Sequence, residues 1–178
     1  GFNCAGGWSV AVVYEYPERD ATYAPDYRFV QIADGFSNIA AADPPEDLTL
    51  TPFVASQGTV EPRFGVVAYE GDQAIAGDAL LFEGVNVIEP RIVGDPTNNF
   101  WVGTIGGYSA RNSWLGPRTP SVPNNEGWEA KVVPFDTGII NGTMNELTGQ
   151  FRTAGDQYAV DQFLFSATIS VLTGTVYE

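Results

Sequence analysis

Hydrophobic and polar residues alternate along most of this chain. Over 8–16, Trp8, Val10, Val12, Tyr14 and Tyr16 fall on one face of an extended segment, with Ser9, Ala11, Val13 and Glu15 on the other. Over 145–152, Leu147, Gly149 and Phe151 alternate with Glu146, Thr148, Gln150 and Arg152. Over 163–172, Phe163, Phe165, Ala167, Ile169 and Val171 line one face, and Leu164, Ser166, Thr168 and Ser170 the other. A period of two means side chains pointing alternately to opposite faces of a strand, one face on a core and one in water. Further strands are predicted over 27–32, 48–53, 63–70, 79–82, 85–92, 100–108, 128–135 and 173–177.

The expected fold class is therefore all-β: a β-sandwich or jelly roll of about ten short, mostly antiparallel strands. No segment carries a 3.6-residue period. The best helical candidate is a single turn over 44–48, with Asp43 to cap it and Pro44 to open it. The 20 Gly and 12 Pro are spread along the chain, so neither a linker nor a boundary is visible, and one domain over 1–178 is expected. The stretch 110–127, with Pro117, Pro120, Pro123 and Asn124-Asn125, reads as an extended surface loop. Asn141-Gly142, set between Ile139-Ile140 and Met144, is a short hairpin signal. Asn141-Gly142-Thr143 is also a glycosylation sequon, and the two readings are compatible because sugars attach at exposed turns.

Composition narrows the function. The net charge is −14, from 22 acids against 8 bases, which opposes binding to nucleic acid or to anionic membranes. Histidine is absent, which removes the commonest general base and metal ligand. Together with the lack of a nucleophile motif, that makes an enzyme the least expected class. No stretch is long and apolar enough for a transmembrane helix. A start at Gly1 without a visible signal peptide fits a processed mature chain or an excised piece of one. Cys4 is the only cysteine; it is either a quiet thiol or one half of a bridge between molecules.

Several clusters are candidates for chemistry. Glu70, Asp72 and Asp78 lie within nine residues and could converge on calcium, one of the hard, oxygen-seeking cations that remain reasonable here; the preferred reading is a glycine-rich turn whose acids serve the backbone, with no cofactor required. The oxygen-rich run 95–99 admits the same two readings. Trp114, in the polar loop 113–119, is the best candidate for stacking on a carbohydrate, whereas Trp101 and Trp128 are expected in the core. Asp156 and Asp161 could form an acid–base pair, but nothing distinguishes them from the other acids. Lys131 is the only lysine. Alternation places it beside Glu129 and Val133, a setting compatible with a lysine–asparagine isopeptide bond or, as the preferred reading, with an exposed lysine blunting a sheet edge.

Two segments carry a resemblance. Gly6-Gly7-Trp8-Ser9-Val10-Ala11-Val12-Val13-Tyr14-Glu15 leads on to Asp34-Gly35-Phe36, and Gly65-Val66-Val67-Ala68-Tyr69-Glu70-Gly71-Asp72 to Gly77-Asp78. With Asn98-Asn99-Phe100 and the stretch 151–155, these resemble an extracellular module of poorly defined function found in large bacterial and archaeal surface proteins. The resemblance covers about residues 6–166 and implies a secreted β-sandwich, often one of several in a chain, with no catalytic residue to carry over. The chain departs from the pattern at both ends: strands usually precede the Gly-Gly-Trp segment, and 173–177 follows the expected end.

The expected function is an extracellular structural or adhesive surface protein, in which a sheet short of a strand is completed by a neighbour. Self-association into a homopolymer, or contact with neighbouring domains of a surface protein, is the expected partnership. Segments 1–6 and 168–178 are the candidates for exchange, with Cys4, Ile169 and Val171 at the junction. A calcium- or carbohydrate-binding module is the alternative.

Overall fold

A computed structural model describes residues 7–51, 60–86, 98–103, 105–107, 127–134 and 139–169. Among the described residues the chain is all-β, with two sheets and no helix. The strands are β1 (Arg28–Ala40), β2 (Glu46–Leu50), β3 (Arg63–Tyr69), β4 (Ala79–Phe82), β5 (Val85–Asn86), β6 (Ile105–Gly107), β7 (Trp128–Pro134), β8 (Leu147–Arg152) and β9 (Gln157–Thr168). The larger sheet runs β1-β9-β3-β7-β6 and the smaller β2-β8-β4-β5. All these pairings are antiparallel except that of β6 with β7.

One buried apolar cluster joins the two sheets. Phe64 and Val66 of β3 and Phe163 and Phe165 of β9 meet Leu80 and Phe82 of β4 and Leu147 and Phe151 of β8. The Phe64 ring stacks on Phe163 at 5.8 Å and reaches Phe82 of the opposite sheet at 5.0 Å. Each large side chain buried in this way contributes about 1.5–3 kcal/mol. The result is a β-sandwich-like arrangement of two facing layers.

β9 is the central organiser, and it begins at Gln157, six positions before the alternation over 163–172 suggests. The reason is a bulge at Asp161. Against β3 the register steps from Val67↔Gln162 to Ala68↔Val160, and against β1 from Asp34↔Gln162 to Ser37↔Val160. The extra residue flips the parity of the strand. Tyr158 and Val160 before it, and Phe163, Phe165 and Ala167 after it, are therefore all buried. On β1, Gly35 and Phe36 form the matching irregularity, so Asp34-Gly35-Phe36 lies within a strand.

Two expectations are corrected. Residues 8–16 form no strand and pair with no sheet. Alternation prescribes which side chains share a face but supplies no partner for the backbone. Among the described residues, this segment is held by the Ser9 hydroxyl donating to Asp161 at 3.2 Å and, just before it, by Gly7 lying against Trp128 and Tyr69. The helical turn over 44–48 is absent, because β2 starts at Glu46 and is claimed by β8, with Leu48 opposite Gly149 and Leu50 opposite Leu147. Asp43 instead donates its N–H to the Ala40 carbonyl at 2.9 Å, closing a tight turn. The predicted strand over 173–177 lies outside the described residues.

Candidate functional site

The polar centre of this molecule lies inside it. β7 runs between β3 and β6, and its alternation sends Glu129 and Lys131 inward while Ala130 and Val132 sit half-exposed on the other face. Lys131 is 1% exposed and Glu129 fully buried. The exposed, edge-blunting lysine is thereby overturned: β7 is not an edge, and the side chain is in the core. Charged residues are almost never fully buried unless they are paired, and these two are paired, with Nζ 3.6 Å from Glu129 Oε2.

Residues 98–103 close over the pair. Lys131 Nζ donates to the Phe100 carbonyl and lies 4.9 Å from the centre of the Phe100 ring and 5.8 Å from that of Trp101. Glu129 Oε1 accepts the Gly103 N–H. Trp101 is fully buried, edge-on to Phe100 at 4.5 Å and tilted against Tyr158 at 5.2 Å. Glycine is required at position 71, where a methyl group would come within 2.7 Å of Trp101 Cβ and run into the Glu129 carboxylate.

The opposite wall is Asp78, immediately before β4. Phe100 ties the two walls together: its carbonyl takes Lys131, and its N–H donates to the Asp78 backbone carbonyl at 3.2 Å. Asp78 is buried, and both its carboxyl oxygens lack a hydrogen-bond partner. Burial pushes its pKa up to about 7; the Thr153 hydroxyl and the Lys131 charge pull it down, and the Asp156 and Asp72 charges push it further up. The Thr153 hydroxyl, whose oxygen accepts the N–H groups of Gly155 and Asp156, stands near the carboxyl without reaching hydrogen-bond geometry. Beside Asp78, Asn99 is buried, donates Nδ2 to the Asp72 carbonyl at 2.7 Å and leaves Oδ1 unpartnered. Asp156 accepts N–H groups from Asp72 at 3.0 Å and Gln157 at 2.7 Å. Burial nevertheless raises its carboxyl above the ordinary range.

The acids singled out for calcium are not gathered. Asp78 is buried, Asp72 is exposed, and Glu70 sits half-buried at a φ of 69°. Among the described residues no three acidic side chains form a group able to hold a metal ion. Asp156 and Asp161 take different partners, Asp161 binding the hydroxyls of Ser9 and Tyr69 at 3.2 and 3.4 Å. Trp101 is in the core and Trp128 half-buried, while Cys4, Trp114 and Val171 lie outside the described residues. Ile169 donates its N–H to the Tyr27 carbonyl at 3.0 Å, and Thr168 pairs with Arg28, so the start of the C-terminal segment is held by its own sheet. Asn141 is exposed in a turn, but the turn is not the expected hairpin. Asn141 occupies its first position and accepts the Met144 N–H at 3.0 Å. Its side-chain oxygen takes the Thr143 N–H at 3.1 Å and the Thr143 hydroxyl at 2.6 Å, a local pairing that competes with a strand ladder.

A second unusual surface lies outside. Trp8 is 80% exposed and Tyr14 74%, with Val10, Val12 and Val13 also exposed. β1, an end strand of its sheet among the described residues, exposes Val30, Ile32 and Phe36. Among the described residues no helix is long and apolar enough to cross a membrane. Comparison with family models, with curated proteins and with solved structures gives no match to this chain.

Proposed function

We propose that this chain is an extracellular structural or adhesive surface domain, of sandwich or jelly-roll architecture, that joins copies of itself by strand addition. The observation that carries this reading is the segment 8–16. It has the alternation of a strand, it pairs with none, and its large apolar side chains stand in water. Exposed apolar area costs roughly 25 cal/mol per Å² relative to burial, and such a patch on a soluble domain marks an interaction site. The acceptor is the 13-residue β1, a long edge whose outward Val30 and Ile32 are also uncovered. An edge of this length with apolar side chains is a template for another strand. Addition of one molecule's 8–16 to the β1 of the next would satisfy both backbones. Because the two contacting surfaces differ, the contact need not close on itself and can extend into a filament. The acidic composition and the exposed Asn141 turn are in keeping with a secreted surface location.

Sedimentation velocity over a wide concentration range, with electron microscopy of the concentrated protein, tests this. The full chain is expected to form concentration-dependent elongated assemblies, and the triple variant Trp8→Ser, Val10→Ser, Val12→Ser to remain monomeric. A wild-type chain that stays monomeric at high concentration overturns the reading.

A further inference from the structure

We propose that Lys131 is joined to Asp78 by an intramolecular isopeptide bond, formed inside the folded domain with Glu129 as the proton carrier. Both the amine and the acid are buried, and the Lys131 charge acts on the Asp78 carboxyl. Lys131 Nζ enters between the sheets from β7, and Asp78 stands at the head of β4 in the opposite sheet. The Phe100 backbone ties the two residues, its carbonyl accepting from Lys131 Nζ and its N–H donating to the Asp78 main-chain carbonyl. Phe100, Trp101 and Tyr158 enclose the space, with Trp101 and Tyr158 fully buried. A buried carboxyl with neither oxygen hydrogen-bonded is costly to keep as it is, and conversion to an amide removes that acid together with the buried amine.

The chemistry balances without any co-reactant. The Glu129 carboxylate, 3.6 Å from Nζ, takes a proton from the Lys131 ammonium as the reaction begins. The neutral amine attacks Asp78 Cγ, whose acid is held partly protonated near neutral pH by burial. A C–N bond forms as the Cγ–OH bond breaks. Glu129 returns its proton to the departing hydroxyl, which leaves as water, and takes up the second amine proton as the amide forms, ending as the neutral acid. Glu129 is placed for this role: Oε1 is anchored by the Gly103 N–H, and Oε2 faces Nζ at 3.6 Å. Asn99 is the weaker partner, because its leaving nitrogen is already held by the Asp72 carbonyl. The bond would fasten the two sheets to each other and close the chain between positions 78 and 131. A chain with a single cysteine has no internal disulfide with which to do this.

Intact-mass spectrometry of the denatured full chain is the test, followed by digestion with a lysine-specific protease. The expected result is a mass short of the sequence mass by one water, no cleavage after Lys131, and a fragment ion joining the Lys131 and Asp78 peptides. The fragment ion also excludes dehydration at Asp34-Gly35 as the source of the loss. The full sequence mass with cleavage after Lys131 overturns the proposal. Loss of one ammonia, with a fragment joining Lys131 to Asn99, overturns Asp78 as the partner. In Glu129→Gln, which keeps both reacting groups, the uncrosslinked mass is expected to dominate; complete crosslinking there overturns the role given to Glu129. The wild-type measurement stands whether or not any variant folds.

Discussion

The segment 8–16 and the strand β7 show similar alternation and meet opposite fates. In 8–16, large apolar residues occupy every second position and end up in water. In β7, a carboxylate and an ammonium occupy alternate positions and end up in the core. The difference comes from what each segment finds beside it. β7 has ladder partners on both sides, and residues 98–103 supply a carbonyl, an N–H and two aromatic faces to receive its charges. Segment 8–16 finds a few side-chain ties and no ladder. Alternation therefore reports which residues share a face; whether that face is wet or dry depends on partners distant in sequence. The two places where the usual partition of polar and apolar residues is inverted are also the seats of the proposed strand addition and the proposed crosslink.

The comparison is tested most severely at Glu129. In any molecule where Lys131 is still an amine, replacing Glu129 by alanine leaves that charge buried without the carboxylate beside it, and removing one member of a buried pair costs about 3–5 kcal/mol. Chemical denaturation should register a loss of that size, and a loss below about 0.5 kcal/mol, the range of ordinary surface substitutions, would show that the pair is solvated after all. Gly71→Ala tests the wall around it. The added methyl has no room between Trp101 and Glu129, and overpacking of this kind costs about 1–3 kcal/mol, to be read as a lowered denaturant midpoint.

The opposite result is expected outside. Converting Trp8, Val10 and Val12 to serine should change the stability of the isolated domain by less than about 0.5 kcal/mol per site, because these side chains bury little within their own molecule. A large loss in the monomer would mean that 8–16 is part of the fold. The smallest effect concerns pH. Asp156 has its carboxyl raised by burial, so the folded state holds that proton more tightly than the unfolded one. Its contribution is complete below the ordinary aspartate pKa and is lost as pH rises through the elevated value. Thermal melting should therefore soften from mildly acid pH toward neutral, and Asp156→Asn should flatten that slope. Asp78, pushed up to about 7, adds to the same slope in any molecule where its carboxyl is still free.

Much of the framework was legible in the residues. The runs at β3, β4, β7 and β8 are compact, apolar or alternating, and bounded by turn residues, and they fold within a residue or two of their predicted limits. β1 and β9 were each read as half their length. In both, the irregularity around Asp161 and Gly35-Phe36 breaks the period, so a rule based on strict alternation stops there. The pocket was legible in one respect: an acid and the chain's only lysine two positions apart in an otherwise apolar strand share a face. What could not be read is that Phe100, Gly103 and Asp78 close over that face, because those contacts depend on how two sheets stack. Burial of lysine is rare enough that an exposed edge was the more economical expectation.

The bulge at Asp161 has a bearing on how reliably the sheet assembles. In a regular strand a slip of one residue turns every side chain to the wrong face, but a slip of two restores the faces at little cost. β9 does not have that second option. Its inward set changes parity between Val160 and Phe163; β1 carries a matching irregularity at Gly35-Phe36, whereas β3 runs on regularly from Val67 to Ala68 opposite the bulge. A two-residue slip against β1 would set the two irregularities out of step and break that ladder. Against β1 the strand thus admits one alignment, and a growing sheet that reaches a wrong one there has no stable place to rest.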